Sequence, residues 1–296
     1  ILQSEEKKNQ RLHTALTALH AFATANDISL DEKEASPSIV INTTPKKKKK
    51  GQHNLNNEIE ALIDGRDAAQ ESFTEEEKNK LRLYAGSGRL INQGATGKGI
   101  LYEYYTPDTI IKKMWDMAYH FGYDGGDVLE PSVGIGSFFK YAPKGAALVG
   151  YEVNHYAARI AQILYPAAEI HEAAFETNFF AGNIHLKNDF ADRRYSLVIG
   201  NPPYGEFSGK YAGMGEKKWT GMSQYEHYFT YRGLDLLKSG GLLIFILPSN
   251  FLKATSYNSI AEKIASKCIG LDRYYLGTGI FKTTDIETDI IALRKN

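Results

Sequence analysis

Two periodicities divide this chain. Near the start, Leu12, Ala15, Leu16, Leu19, Phe22 and Ala23 recur at helical spacing up to Asn26, and Ser4 with Glu5 and Glu6 behind it reads as a helix start. Glu58 to Leu83 reads as helical again, with Thr74 and Glu77 at capping-box spacing. Between these stretches, 31–54 is polar, carries two prolines, and contains Lys46 to Lys50 as an unbroken basic run. That run reads as solvated linker, with phosphate contact as the alternative.

From about Gly97 the texture changes to apolar runs alternating with helical stretches. The predicted strands are Asp127–Glu130, Ala147–Glu152, Ser196–Gly200, Leu242–Leu247, Arg273–Leu276 and Thr288–Leu293. The predicted helices lie near Thr106–Tyr119, His155–Leu164 and Gln224–Leu237. Alternation of this kind predicts an α/β fold, a mostly parallel sheet with helices on both faces. The expected organisation is an N-terminal helix at 1–30, a Lys-rich linker at 31–54, a helical lead-in at 55–96 and an α/β domain at 97–296.

Composition narrows the partners. The 296 residues are 43% hydrophobic, enough for a real core. With 35 basic and 35 acidic residues the chain has no global attraction to nucleic acid, so any such contact must be local or made elsewhere. A single cysteine, Cys268, excludes an internal disulfide, and the eight histidines show no zinc-ligand spacing, so no metal is expected. The longest apolar stretch, Leu242–Leu247, is too short to span a bilayer. The charged start has no signal-peptide core and no initiator Met, which reads as a cytoplasmic protein and a fragment of something longer.

The chemistry concentrates at Asn201-Pro202-Pro203-Tyr204-Gly205, which closes the apolar run Tyr195–Gly200. Two prolines fix φ and donate no N–H, leaving nearby carbonyls free to accept. Asn201 Oδ1 and the Pro202 carbonyl could grip both hydrogens of a planar amine such as adenine N6, favouring a tetrahedral, nucleophilic nitrogen as a methyl group arrives. Tyr204 could stack on the flat substrate. The plain alternative is a Pro-Pro turn that ends a core strand.

A second constellation is Asp127-Val-Leu-Glu130-Pro131-Ser-Val-Gly134-Ile-Gly136, a strand running into a glycine turn and then a helix. Gly134 and Gly136 permit close approach of a ligand to the backbone. It is not the dinucleotide fingerprint, having two glycines with Glu130 and Pro131 ahead of them. Glu152 ends the next strand about 20 residues on, where a ribose diol is usually held. Alternatively Glu152 caps the following helix.

From Gly97 to Lys295 these motifs, in this order, resemble the γ-class adenine-N6 DNA methyltransferases. The resemblance implies a Rossmann-like S-adenosylmethionine-dependent methyltransferase fold: a mostly parallel seven-stranded sheet with a C-terminal β-hairpin. It implies S-adenosyl-L-methionine as cofactor, cupped at its methionine end by Gly99–Asp108 with Thr106 on the carboxylate. Glu130, Pro131, Gly134 and Gly136 fall on the cofactor motif and Glu152 on its ribose-binding acid. Asn201, Pro202, Pro203 and Tyr204 fall on the catalytic motif. Phe281, in the last hairpin, would face Tyr204 across a flipped-out adenine, or serve as a core aromatic beside a glycine turn.

One departure stands out. The family's third motif places an Asp before an aromatic, and here Ala174 precedes Phe175. Phe175 is expected against the cofactor's adenine, with Glu172 or Glu176 as acceptor. Variants of this kind resemble the large helicase-associated methylases of mobile elements. The loop Gly205–Gly221, with Lys210, Lys217, Lys218 and Trp219, could clamp a DNA backbone or be solvated. Double-stranded DNA is the implied partner, with the target-recognition domain largely missing, and restriction-modification or mobile-element protection the implied setting. Two rivals remain: a release-factor glutamine methyltransferase, which shares the Asn-Pro-Pro-Tyr turn, and a non-catalytic DNA- or partner-binding module.

Overall fold

The computed structural model describes residues 49–85, 90–91, 100–101, 106–179, 195–207, 220–253, 258–280 and 286–296, with the backbone alone at 49–50, 90–91 and 100–101. Internal contacts divide the chain into Ile1–Thr44 and Pro45–Asn296, and every described residue belongs to the second unit. The helix expected at 1–30 lies outside them.

The unit opens with α1 (Lys49–Ala69) and α2 (Glu75–Leu81). α1 begins inside the stretch read as linker. The single helix expected over Glu58–Leu83 is broken after Ala69, where Gln70 takes φ 55° and Thr74 starts a new helix. Thr74 Oγ1 accepts from the Glu77 amide at 3.2 Å and Glu77 Oε2 accepts from the Thr74 amide at 2.8 Å, so the capping box forms as read. A separate two-stranded antiparallel pair follows, β1 (Leu90–Ile91) with β2 (Ile100–Leu101).

The remaining elements are α3 (Asp108–His120), β3 (Val128–Glu130), a 3₁₀ turn at Ser137–Tyr141, β4 (Leu148–Glu152), α4 (His155–Leu164) and β5 (Glu169–Glu172), then a 3₁₀ turn at Phe175–Phe179 and β6 (Tyr195–Gly200). They continue with α5 (Tyr225–Leu236), β7 (Leu237–Pro248), α6 (Asn258–Ala265), β8 (Cys268–Gly277) and β9 (Thr288–Lys295). Seven strands form one sheet in the order β5-β4-β3-β6-β7-β9-β8. The first five are parallel, and β9 runs antiparallel to both β7 and β8. All six strands read from the sequence are present.

The apolar runs are continuous because both faces of the sheet are covered. Val198, Leu243, Phe245 and Leu247 point to a core built with Tyr228 and Phe229 of α5 and Ile260 and Ile264 of α6. The residues between them, Leu197, Ile199, Leu242, Ile244 and Ile246, point to the other core with Ile111, Met114 and Trp115 of α3. The period-2 alternation of a strand therefore feeds two cores at once.

Four elements were not foreseen: the short pair β1 and β2, the strand β5 and the helix α6. β5 is an edge strand reading Glu-Ile-His-Glu, and its charges pair at the rim: His171 with Glu169 at 3.0 Å and His155 of α4 with Glu172 at 2.9 Å. A polar edge suppresses strand addition and also hides the strand from a search for apolar runs. The helix expected after the glycine turn is a short 3₁₀ turn instead. Its neighbours Phe138 and Phe139 are both buried, and the Trp115 indole N–H holds the Phe138 carbonyl at 2.8 Å, so no single apolar face is left to extend. Among the described residues no helix is long and apolar enough to cross a membrane.

The glycine turn lies across β4. The Val133 amide donates to the Tyr151 carbonyl at 2.8 Å, and a Cβ built on Gly150 would sit 2.8 Å from Val133 Cβ. Gly150→Ala is therefore expected to lift the turn and cost about 1–3 kcal/mol in urea unfolding. Val133→Ala in the same chain should recover part of that loss; additive losses would show that the two side chains do not meet.

Candidate active site

The turn between β3 and the 3₁₀ turn is shaped by glycine. Gly134 has φ 53° and Gly136 φ 81°, and at Gly136 there is no room for a Cβ, which would stand 2.6 Å from Tyr165 Cε2. The Gly134 amide donates to Glu152 Oε2 at 2.9 Å, and Glu152 Oε1 accepts from the Asn154 amide at 2.8 Å. Glu152 thus joins the ends of β3 and β4. The helix-capping alternative falls to Asn154, whose Oδ1 accepts from the Ala157 amide at 3.1 Å at the start of α4.

Glu130 ends β3 and is 2% exposed, with Oε2 making no hydrogen bond. Burial pushes its carboxyl well above the ordinary value of 4.5, and the neighbouring Glu152 adds to the effect. A Cβ on Gly200, at the end of β6, would lie 3.3 Å from Glu130 Cγ, so the two strand ends are in contact.

At the end of β6 the Asn201–Tyr204 turn joins the same point. Ser132 Oγ donates to the Asn201 carbonyl at 3.2 Å, tying the glycine turn to the Asn201–Tyr204 turn, and Asn201 Nδ2 stands 3.4 Å from Thr106 Oγ1 ahead of α3. Pro202 is buried and Pro203 half-buried. Tyr204 is turned inward and is 5% exposed, its hydroxyl 2.5 Å from Asn201 Oδ1 and 3.1 Å from the Ile246 carbonyl of β7.

A tyrosine hydroxyl has one proton, so it serves one of those acceptors at a time. Beyond Tyr204 the chain is pinned to α5: the Gly205 amide donates to Glu226 Oε2 at 2.8 Å, and the Tyr225 amide donates to the Gly205 carbonyl at 2.8 Å.

The described structure therefore brings Thr106, Glu130, Gly134, Gly136, Glu152, Asn201 and Tyr204 to the carboxyl ends of β3, β4 and β6. Phe175 sits apart from an open face. It is 1% exposed, its ring enclosed by Tyr151, Phe179, Tyr228 and Phe229 at centroid distances of 6.0, 5.3, 6.4 and 5.0 Å. Glu172 is at the rim with His155, whereas Glu176 is buried beside Phe175. Phe281 and Lys210, Lys217, Lys218 and Trp219 lie outside the described residues. Ser132 and the Ile246 carbonyl were not anticipated, since neither is marked by residue type. Nor was the network behind β7: buried Asp289 accepts from Ser249 Oγ at 2.8 Å and from Arg273 Nε at 2.6 Å. Among the described residues no group of His, Cys, Asp and Glu is placed to hold a metal ion.

Fold and site together define a class: the chain has the S-adenosylmethionine-dependent methyltransferase fold. In structure it is similar to a methyltransferase subunit of a type I restriction-modification system from Streptococcus thermophilus, with TM-score 0.55, 21% identity, and 74% of this chain and 49% of that one covered. It is similar also to a Listeria monocytogenes protein assigned to the class I S-adenosylmethionine-dependent methyltransferases, with TM-score 0.53, 16% identity, and 75% and 69% covered. In sequence, residues 149–271 match the Eco57I restriction-modification methylase family. The "Defense against restriction protein B" of Escherichia phage P1 is 28% identical over 240 residues, which is 80% of this chain and 10% of the phage protein. The chain thus spans about a tenth of the length of that relative.

The burial of Glu130 predicts a pH signature. Its folded pKa lies above its unfolded one, so the folded state holds the proton more tightly. Its contribution is favourable below the ordinary carboxylate range and is lost as pH rises through the raised folded pKa. Glu130→Gln should flatten that loss and raise the melting temperature at neutral pH, read as Tm against pH. An unchanged pH slope would show that Glu130 is not the buried acid responsible.

Proposed function

We propose that this chain is the catalytic domain of an S-adenosylmethionine-dependent DNA methyltransferase acting on adenine N6, from a restriction-modification or mobile-element system. The observation that carries the reading is the hydrogen-bonded junction of the two turns, Ser132 to Asn201, at the centre of a methyltransferase-fold sheet. The match to the restriction-modification methylase family and the resemblance to a phage protein named for defence against restriction support DNA as the substrate.

The residues present fit the cofactor. Gly134 leaves the backbone open at the β3 end, Glu130 presents a buried oxygen without a partner, and Glu152 offers a carboxylate that accepts from the Gly134 and Asn154 amides. Glu152 would take the ribose diol, Thr106 the methionine carboxylate, and the Glu130–Gly136 turn would line the pocket between them. S-adenosylmethionine supplies, when bound, a methyl group on a sulfonium that an amine nitrogen can displace.

Asn201 and Pro202 do the work on the substrate side. The Asn201 amide oxygen and Pro202 carbonyl accept the two hydrogens of the amine and favour its tetrahedral form, an interaction that strengthens as the methyl moves. The Tyr204 hydroxyl, donating to Asn201 Oδ1, fixes the orientation of the amide and leaves the oxygen's second lone pair for the amine. Pro203 stiffens the turn. An adenine reaching this point has been flipped from the duplex, and Phe281 is proposed as the aromatic on its second face. Positioning and electrostatics carry the reaction.

Tritiated-methyl transfer from S-adenosylmethionine to DNA, set beside transfer to a release factor, tests the substrate class; transfer to the protein glutamine alone would overturn the DNA reading. Asn201→Ala is expected to lower turnover on the order of 100-fold or more, with cofactor affinity nearly intact. Tyr204→Phe should lower it by about tenfold through the misoriented amide, roughly the cost of one neutral hydrogen bond. A Tyr204→Phe enzyme at full rate would show that the hydroxyl does not orient Asn201.

A further inference from the structure

We infer that the two helices ahead of the α/β domain are part of the cofactor site, with Ile135 and Tyr165 acting as positioning residues for the glycine turn. This rests on the cofactor reading above. The turn carries positive φ at Gly134 and Gly136, so its own backbone does little to hold it in one shape. What holds it comes from outside.

Ile135, between the two glycines, is 6% exposed, and its side chain belongs to a small separate core. The other members are Ile59 and Ile63 of α1, Leu81 of α2, Tyr84 just beyond it, and Ala157 and Ile160 of α4. The tip of the glycine turn is thus a plug seated in the N-terminal helices. Those helices are in turn tied to α4. Arg159 donates to Asp67 through Nε at 2.8 Å and Nη2 at 2.5 Å, and Tyr156 Oη donates to Asp64 at 3.1 Å.

A second route reaches the turn from the other side. The Tyr165 ring, at the end of α4, lies against Gly136 so closely that a Cβ there would be 2.6 Å from Cε2, and it meets Phe139 edge-on with centroids 5.8 Å apart. Burial raises the Tyr165 hydroxyl's pKa, and the positive charge of Arg82 at the end of α2 pulls the other way. The N-terminal helices therefore set the tip of the glycine turn through Ile135, and the end of α4 sets its exit through Tyr165. Close packing carries such constraints with little give.

The test is calorimetry with S-adenosylmethionine on the whole chain. Ile135→Ala and Tyr165→Ala are each expected to raise the Kd about tenfold. Ile135→Val, which keeps most of the plug, should change it far less and guards against a variant that fails to fold. Tyr165→Phe, which keeps the ring against Gly136, should leave the Kd unchanged. The control is Thr74→Ala, which weakens α2 at its cap without touching the turn. It should lower the melting temperature and leave the Kd unchanged. A Kd raised as much by Thr74→Ala or by Tyr165→Phe as by Ile135→Ala would reduce these contacts to general scaffolding and overturn the inference. Undiminished affinity in Ile135→Ala would overturn it as well. Absence of binding by the unmodified chain would overturn the cofactor reading itself, and this inference with it.

Discussion

The parallel pairing of β3 with β6 is the constraint on which the site depends. β3 is flanked by β4 and β5 on one side and by β6 and β7 on the other, so the chain leaves the centre of the sheet in opposite directions. Loops that follow two such strands diverge, and a crevice opens at their carboxyl ends. The register places Val128 beside Leu197 and Leu129 beside Val198, which brings Glu130 against Gly200 and then Ser132 within reach of Asn201. The glycine turn and the Asn201–Tyr204 turn, 69 residues apart in sequence, are thereby joined through one hydroxyl.

That junction is held at a cost in stability. Glu130 is an acid in a dry position with an unpartnered oxygen, next to a second acid, Glu152. Burial without a partner is unfavourable, and proteins keep such groups mainly where function uses them. The surroundings offset it by rigidity. The strands on either side feed two cores, the glycine turn is clamped by Ile135 and Tyr165, and the strand end beyond the catalytic turn is fastened by the Asp289, Ser249 and Arg273 network. The Asp289–Arg273 contact closes the β7, β8 and β9 side of the sheet, where Ser249 leaves β7.

Much of the architecture was legible along the chain because both sheet faces are buried. Leu242–Leu247 and Leu197–Ile199 are unbroken apolar runs, which a strand covered on both sides requires and a surface helix does not tolerate. β5 escaped for the opposite reason: at the edge its residues are polar and half-exposed, and its place is decided by pairing with β4. The break between α1 and α2 was partly visible, since the Thr74–Glu77 box was read but not taken as a boundary.

The site divides along the same line. Residue type and spacing alone marked Asn201 to Tyr204, the Gly134–Gly136 turn and Glu152, because two prolines, two glycines and an acid at a strand end restrict the backbone and its donors locally. Local chemistry does not carry orientation. That Tyr204 points inward to Asn201 and Ile246, that Phe175 is enclosed by four aromatic rings, and that Ile135 is buried among helices more than fifty residues earlier were decided only when distant segments packed together. Side-chain direction is set by what fills the neighbouring space, and in a close-packed interior that space is shaped by the whole fold.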